Sequence, residues 1–439
     1  MNTTNRPKNK IGLTTAISIV TANMVGTGVY TSLGFQAMDI DSVFALLMLW
    51  VAGGVMALCG ALTYAELSSA MPRSGGEYNF LTRLYHPLVG FNAGWVSITL
   101  GFTAPMAASC MAFGNYFGSI IESSSSVVAT ILLCAVLVIN LFGIRSGGKV
   151  QLTFTLINIS LIVVLSTAGI IWGNHEHFKI SATSEDLKQI LNPSFFVSLV
   201  YVSFAYSGWN AITYITEDID NPRTNIPRAL FAASTLVMIL YLCLNFIFLY
   251  NVPIEELKGK LEVAFVAAEK IFGVAGAKIV AAIICIGLVA SVNSMMMIGP
   301  GTAKVLGEDY PLFKKLSWKS KSGSSVYALL LQFLIALILI HTATFKQVTV
   351  YIGFTLSMFT VLAVIGIFIY RYKNKSITHY TTWGYPLTPI LFIVIELSMM
   401  VYVMIENTYE SLLGLLTIMA GIVVYFVNHY LKKDKLINQ

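Results

Sequence analysis

The sequence predicts an all-α polytopic membrane protein. Three observations carry that prediction: 56% of its 439 residues are hydrophobic, 11% are charged, and charge-free stretches recur along the whole chain. An ordinary soluble domain carries roughly 25% Asp, Glu, Lys and Arg, so a water-soluble fold is excluded. Runs lacking those four residue types occupy 11–38, 42–65, 84–121, 123–144, 150–175, 189–216, 229–254, 279–303, 322–345, 347–370 and 411–431. A further apolar run, 386–405, is interrupted only by Glu396. Each meets the roughly 18–20 apolar residues that a bilayer-crossing helix needs, which gives twelve predicted spans. No polar block between them is long enough to bury a core of its own, so residues 1–439 are expected to form one membrane domain.

Span 1 begins near Ile11 without a small-residue cleavage site and reads as a retained helix, not a signal peptide. Gly26-Thr27-Gly28 interrupts it. Arg73 and Arg83 mark the polar connection between spans 2 and 3, and Ser123–Ser126 reads as an exposed turn before span 4. Arg145 and Lys149 separate spans 4 and 5. Span 6 is interrupted by Ser207-Gly208 and followed by a charged loop with Glu217, Asp218, Asp220, Arg223 and Arg228. Before span 8, the 252–278 segment sets Val263, Phe265, Val266, Ile271 and Phe272 among Glu262, Glu269 and Lys270. That spacing predicts a helix lying along the membrane surface, either a lid or a plain connector. Spans 9, 10 and 12 are charge-free, and span 11 holds Glu396.

With alternating spans and an inner N-terminus, twenty of the 27 Lys and Arg residues fall on inner segments and seven on outer ones. This positive-inside bias places both termini in the cytoplasm and the protein in the cytoplasmic membrane. It also accounts for the net charge of +6 with the lipid bilayer as partner and no nucleic acid. The five cysteines all lie in apolar runs without paired spacing, so neither a disulfide framework nor a zinc site is expected. None of the six histidines shares a motif with a carboxylate or thiol, and no catalytic constellation or cofactor is read.

Glycine costs about 1 kcal/mol in a helix interior. Small residues at matching places in spans 1 and 6 therefore suggest paired broken helices, although close helix packing also recruits small residues. An unwound turn frees N–H and C=O groups that persist in a membrane only where they line a cavity or bind something. Half-helix N-termini suit a carboxylate and half-helix C-termini an ammonium. An amino acid is the simplest ligand carrying both.

Three motifs extend this reading. They are Met24-Val25-Gly26-Thr27-Gly28-Val29-Tyr30; Gly60-Ala61-Leu62-Thr63-Tyr64-Ala65-Glu66-Leu67 with Ser74-Gly75-Gly76-Glu77-Tyr78; and Phe204-Ala205-Tyr206-Ser207-Gly208-Trp209-Asn210 with Thr216-Glu217-Asp218 and Asn221-Pro222-Arg223. In these segments the chain resembles the amino acid–polyamine–organocation transporters, in particular the L-type amino acid exchanger branch. The resemblance implies a leucine-transporter-type fold: an inverted five-plus-five helix repeat (11–173 and 189–372), two peripheral helices in 384–431, and alternating access around a midplane site. It implies substrate-binding residues Met24, Val25, Gly26, Thr27 and Gly28 in span 1, with Phe204, Ala205 and Ser207 in span 6. Thr27 and Gly28 would meet the substrate carboxylate, the Met24, Phe204 and Ser207 carbonyls its amine, and Phe204 would gate it. Asn158 stands where that branch carries a lysine, which leaves coupling open among Na⁺, H⁺ and exchange; Asn158, Ser291 and Ser294 are the candidate cation site.

Glu217 is a candidate inner gate opposite Arg6, Lys8 and Lys10, or part of a solvated loop. Glu396 is a proton-carrier candidate by its place in a span, yet the implied peripheral position of span 11 favours a structural role. No acid is evident near the site in spans 3, 6, 8 or 10, which favours a small or medium neutral L-amino acid. A polyamine or basic amino acid antiporter is the alternative, and a membrane sensor or channel a weaker one. Oligomeric state is open.

Overall fold

The computed structural model describes residues 10–142, 148–173, 182–318, 325–374 and 380–437, with 178, 180 and 320. It is helical almost throughout. Among the described residues ten helices are long and apolar enough to cross a membrane, and two more apolar helices, Ser125–Leu141 and Val326–Thr342, are 17 residues each.

The first crossing is two helices, α1 (Leu13–Met24) and α2 (Thr27–Gln36), separated at Val25-Gly26. The second is one long helix, α3 (Val43–Ala70), capped by the Ser42 side chain accepting from the Ala45 N–H at 3.1 Å. A short α4 (Glu77–Leu84) leads into α5 (Pro87–Val96), which runs through a π-helical turn, Ser97–Gly101, into α6 (Thr103–Ile120). Helices α7 (Ser125–Leu141) and α8 (Gly148–Trp172) follow, then the short α9 (Ser184–Ile190).

The second break lies after α10 (Pro193–Tyr206), where Gly208 takes φ +92° before the 3₁₀ turn Ala211–Asp218. A positive φ is strained for any side-chain-bearing residue and free for glycine, which is why the chain can reverse there. Helix α11 (Pro222–Asn251), the single turn α12 (Ile254–Leu257) and the 47-residue α13 (Val263–Asp309) come next. Gly273, at φ +71°, bends α13. Its first part packs on the protein: Val263, Ala264, Ala267 and Ala268 are buried, and just before it the Gly259 N–H bonds the Gly34 carbonyl at 2.8 Å. The 254–272 segment therefore packs at the C-terminal end of α2. Helices α14 (Val326–Thr342), α15 (Phe345–Lys373), α16 (Leu387–Glu406) and α17 (Thr408–Ile437) complete the chain.

Large apolar side chains exposed on α7, α8, α14, α16 and α17, among them Ile131, Val164, Leu334, Val401 and Phe426, form the belt that lipid would cover. Buried polar groups concentrate instead where α1, α2 and α10 cross, and on the helices around them.

Candidate functional site

The two helix breaks seat against one another. A Cβ at Gly208 would stand 2.6 Å from the Asn23 carbonyl oxygen, and one at Gly28 would stand 2.3 Å from the Ala205 Cα. Glycine is required at both positions because backbone, not a yielding side chain, fills the space. Behind the crossing, the buried Tyr241 of α11 points its hydroxyl at the Met24 carbonyl (2.6 Å) and the Ala205 carbonyl (3.1 Å). One phenol thus shares its single O–H between a carbonyl of each break, bridging the two in a medium without water.

Beside the crossing lies a cavity of about 110 Å³. Its walls come from the end of α1 (Asn23), α5 to α6 (Ser97, Phe102), α10 and its break (Ser203, Phe204, Ser207, Gly208), α13 (Met295), α15 (Ser357, Thr360) and α16 (Glu396). At one end Phe204 meets Phe345 edge-on at 6.0 Å, and Phe345 stacks on Phe35 at 5.8 Å.

On the other side is a carboxylate clasp. Glu77 is buried and accepts from Tyr64 Oη at 2.9 Å, from Asn210 Nδ2 at 2.6 Å and from the Tyr214 hydroxyl. The clasp joins α3, α4 and the segment after α10 across the cavity floor. Gly75 and Gly76 donate backbone N–H bonds to the Tyr214 and Thr213 carbonyls, both at 3.3 Å. Further out, Ile11 pairs with the 218–220 backbone at 2.9 Å in both directions, and Arg73 and Tyr78 hold Asp309 at the end of α13.

A family model for amino acid permeases matches residues 11–427, nearly the whole chain. The chain belongs to the amino acid permease family. The permease is 29% identical to the serine/threonine exchanger SteT of Bacillus subtilis over 434 residues, which is 95% of this chain and 96% of the exchanger. It is 26% identical to the b(0,+)-type amino acid transporter 1 of Mus musculus, covering 97% of this chain and 89% of the relative. It is likewise 26% identical to the large neutral amino acids transporter small subunit 2 of Rattus norvegicus, covering 96% and 81%.

The structure brings the span 1 and span 6 residues of this permease together, but unequally about the cavity. Phe204 and Ser207 line it; Met24, Val25, Gly26, Thr27, Gly28 and Ala205 are not on its described wall, where α1 is represented by Asn23. The Met24 carbonyl already accepts from Tyr241, which leaves it one lone pair for a ligand. Asn158 is buried, donates to the Phe154 carbonyl at 3.2 Å, and lies against Gly287 of α13. Ser291, one turn further along α13, is near Gly26: a Cβ there would stand 3.8 Å from its Oγ. Ser291 and Ser294 are both buried.

Glu217 is exposed; its backbone N–H bonds Ser74 Oγ at 3.1 Å, with Arg73 nearby. Arg6 and Lys8 lie outside the described residues. One expectation requires correction: span 11 is not peripheral at Glu396, which is buried and on the cavity wall. The described wall carries no acid from spans 3, 6, 8 or 10, but Glu77, before span 3, and Glu396, in span 11, both border it. Sequence reasoning missed Glu77, Tyr64, Tyr214 and Tyr241 as site-forming residues; Glu77 stood within a recognised motif, but nothing local showed what it would face.

Tyr241→Phe is expected to remove the one donor that the two buried carbonyls share, destabilising the crossing by about 1–3 kcal/mol. Thermal unfolding in detergent should fall accordingly, with slower uptake. A variant matching the unmodified permease in both would refute the bracing role.

Proposed function

We propose that this permease moves a small or medium neutral L-amino acid across the cytoplasmic membrane by alternating access. The observation that carries the reading is the seating of two mid-span breaks on one another beside a compact, mainly apolar cavity with polar groups set in its wall. Transport needs no covalent chemistry. Unwound backbone at Val25-Gly26 and Ser207-Gly208 offers N–H and C=O groups to a zwitterion, and two halves of the protein rock about it. The fold proposed is twelve crossings in an inverted five-plus-five arrangement, 11–173 against 189–372, followed by the pair in 384–431, with both termini cytoplasmic. The breaks fall in the first crossing of each proposed half, which supports it. Phe204 under Phe345 and Phe35 is the outer gate, and the Glu77 clasp with the Ile11 pairing and Glu217 segment is the inner one. Coupling is proposed at Asn158, Ser291 and Ser294, with Na⁺, H⁺ or a counter-substrate as the driving partner.

A polyamine or basic amino acid antiporter is the second reading, and the buried Glu396 on the cavity wall is the observation that favours it. Both are tested by uptake of labelled alanine, serine, threonine, leucine and arginine into proteoliposomes, with Na⁺, a pH gradient and internal amino acid imposed separately. Neutral uptake that Phe204→Ala abolishes is the expected result. Uptake of arginine with none of the neutral substrates would overturn it in favour of the second reading.

A further inference from the structure

We propose that Glu396, with Ser203 and Ser357, forms a side-chain subsite that takes an N–H donor at the far end of the substrate. This deepens the transport reading and rests on it.

Glu396 is 4% exposed and lines the cavity, and its Oε2 has no hydrogen-bond partner among the described residues. Its polar neighbours are the Ser357 and Ser203 hydroxyls. No lysine, arginine or histidine is on the described cavity wall to pair with it. The other acid there, Glu77, has its oxygens occupied by Tyr64, Asn210 and Tyr214. An acceptor buried without a partner is unfavourable unless something that enters the cavity supplies a donor.

The placement sets the donor's reach. Ser203 precedes Ser207 by one helical turn, about 6 Å along α10 at 1.5 Å per residue. A ligand docked by its α-groups at the Ser207-Gly208 break would therefore present Glu396 with the end of its side chain. Threonine is short for that span; a glutamine amide or a lysine ammonium reaches it. A site built to bond such a group discriminates strongly against an equally large analogue without it, because the analogue leaves the acceptor unpaired.

The experiment compares isosteric pairs, glutamine against methionine and lysine against norleucine, as KM ratios for uptake into proteoliposomes at several pH values. The unmodified permease, Glu396→Leu and Ser357→Ala are measured alike. Reading each ratio within one protein cancels a general loss of activity, and Ser357→Ala covers the case in which Glu396→Leu fails to fold. The expected result is a preference for glutamine over methionine of roughly tenfold or more, abolished by Glu396→Leu and weakened by Ser357→Ala. A preference confined to lysine over norleucine supports the subsite and moves the substrate to the cationic class. Absence of both preferences, survival of a preference in Glu396→Leu, or a Glu396→Leu variant that loses pH dependence alike for every substrate would overturn the proposal, the last assigning Glu396 to proton carriage. Uptake of alanine, serine or threonine with none of these four would also overturn the subsite while leaving the transport reading standing; no uptake of any amino acid in either set would sink the transport reading itself.

Discussion

Gly28→Ala is expected to lower uptake roughly ten- to a hundredfold while the protein still reaches the membrane. The added Cβ would stand 2.3 Å from the Ala205 Cα, 2.7 Å from its Cβ and 3.0 Å from its N. These are atoms of a helix backbone, so α2 and α10 must separate for the methyl to fit. Overpacking of this kind costs about 1–3 kcal/mol, and here the strain falls at the crossing that the substrate and the gates share. Gly26→Ala is the comparison: Gly26 would serve the substrate through backbone groups that alanine keeps, so only the added methyl is tested. A Cβ there meets nothing nearer than Ser291 Oγ at 3.8 Å, ordinary contact, and φ is −130°. Uptake should stay within a few-fold of the unmodified permease, since contact of this kind leaves the neighbours where they are. Equal damage from the two substitutions would mean that the close approach of α2 to α10 is not what the motif preserves.

Arg371→Met is expected to give the largest loss of stability. Glu66 of α3 is fully buried, and Arg371 near the end of α15 binds it through two parallel bonds, Nε to Oε1 at 2.9 Å and Nη2 to Oε2 at 2.8 Å. The Thr382 N–H adds a bond at 2.6 Å, and the guanidinium sits 3.7 Å from the Tyr385 ring centroid. Such a pair ties α3 to α15 and to the segment before α16. Removing one partner of a buried pair costs about 3–5 kcal/mol because the other charge is left uncompensated. Unfolding of Arg371→Met in detergent should therefore come at a markedly lower temperature, and Glu66→Gln added to it should restore part of the loss. A single variant that unfolds with the unmodified permease would show that the pair is dispensable.

These two sites mark how far local pattern reaches. Gly26 and Gly28 are indistinguishable in the sequence, as two small residues in an apolar span; their different surroundings follow from the angle at which α2 meets α10. Glu66 and Glu77 were visible within motifs, but their partners Arg371 and Asn210 lie 305 and 133 residues away. Asn158 illustrates the intermediate case. Its departure from the lysine of related exchangers was legible, while its packing on Gly287, one turn from Ser291, was not.

By itself the sequence determined the membrane class, the approximate limits of the apolar helices, the two broken spans and the family. Each of these follows from local chemistry: lipid demands continuous apolar runs with internally satisfied backbone, and a break in such a run has few causes. Tertiary structure alone decided that Tyr241 braces both breaks, that Glu77 is clasped, and that Glu396 faces the cavity instead of lipid. The reason is that a charge pattern marks a polar residue's cost without naming the helix that will meet it. Which face of α16 turns inward is settled by packing against α3, α10 and α15, contacts that no periodicity within α16 encodes.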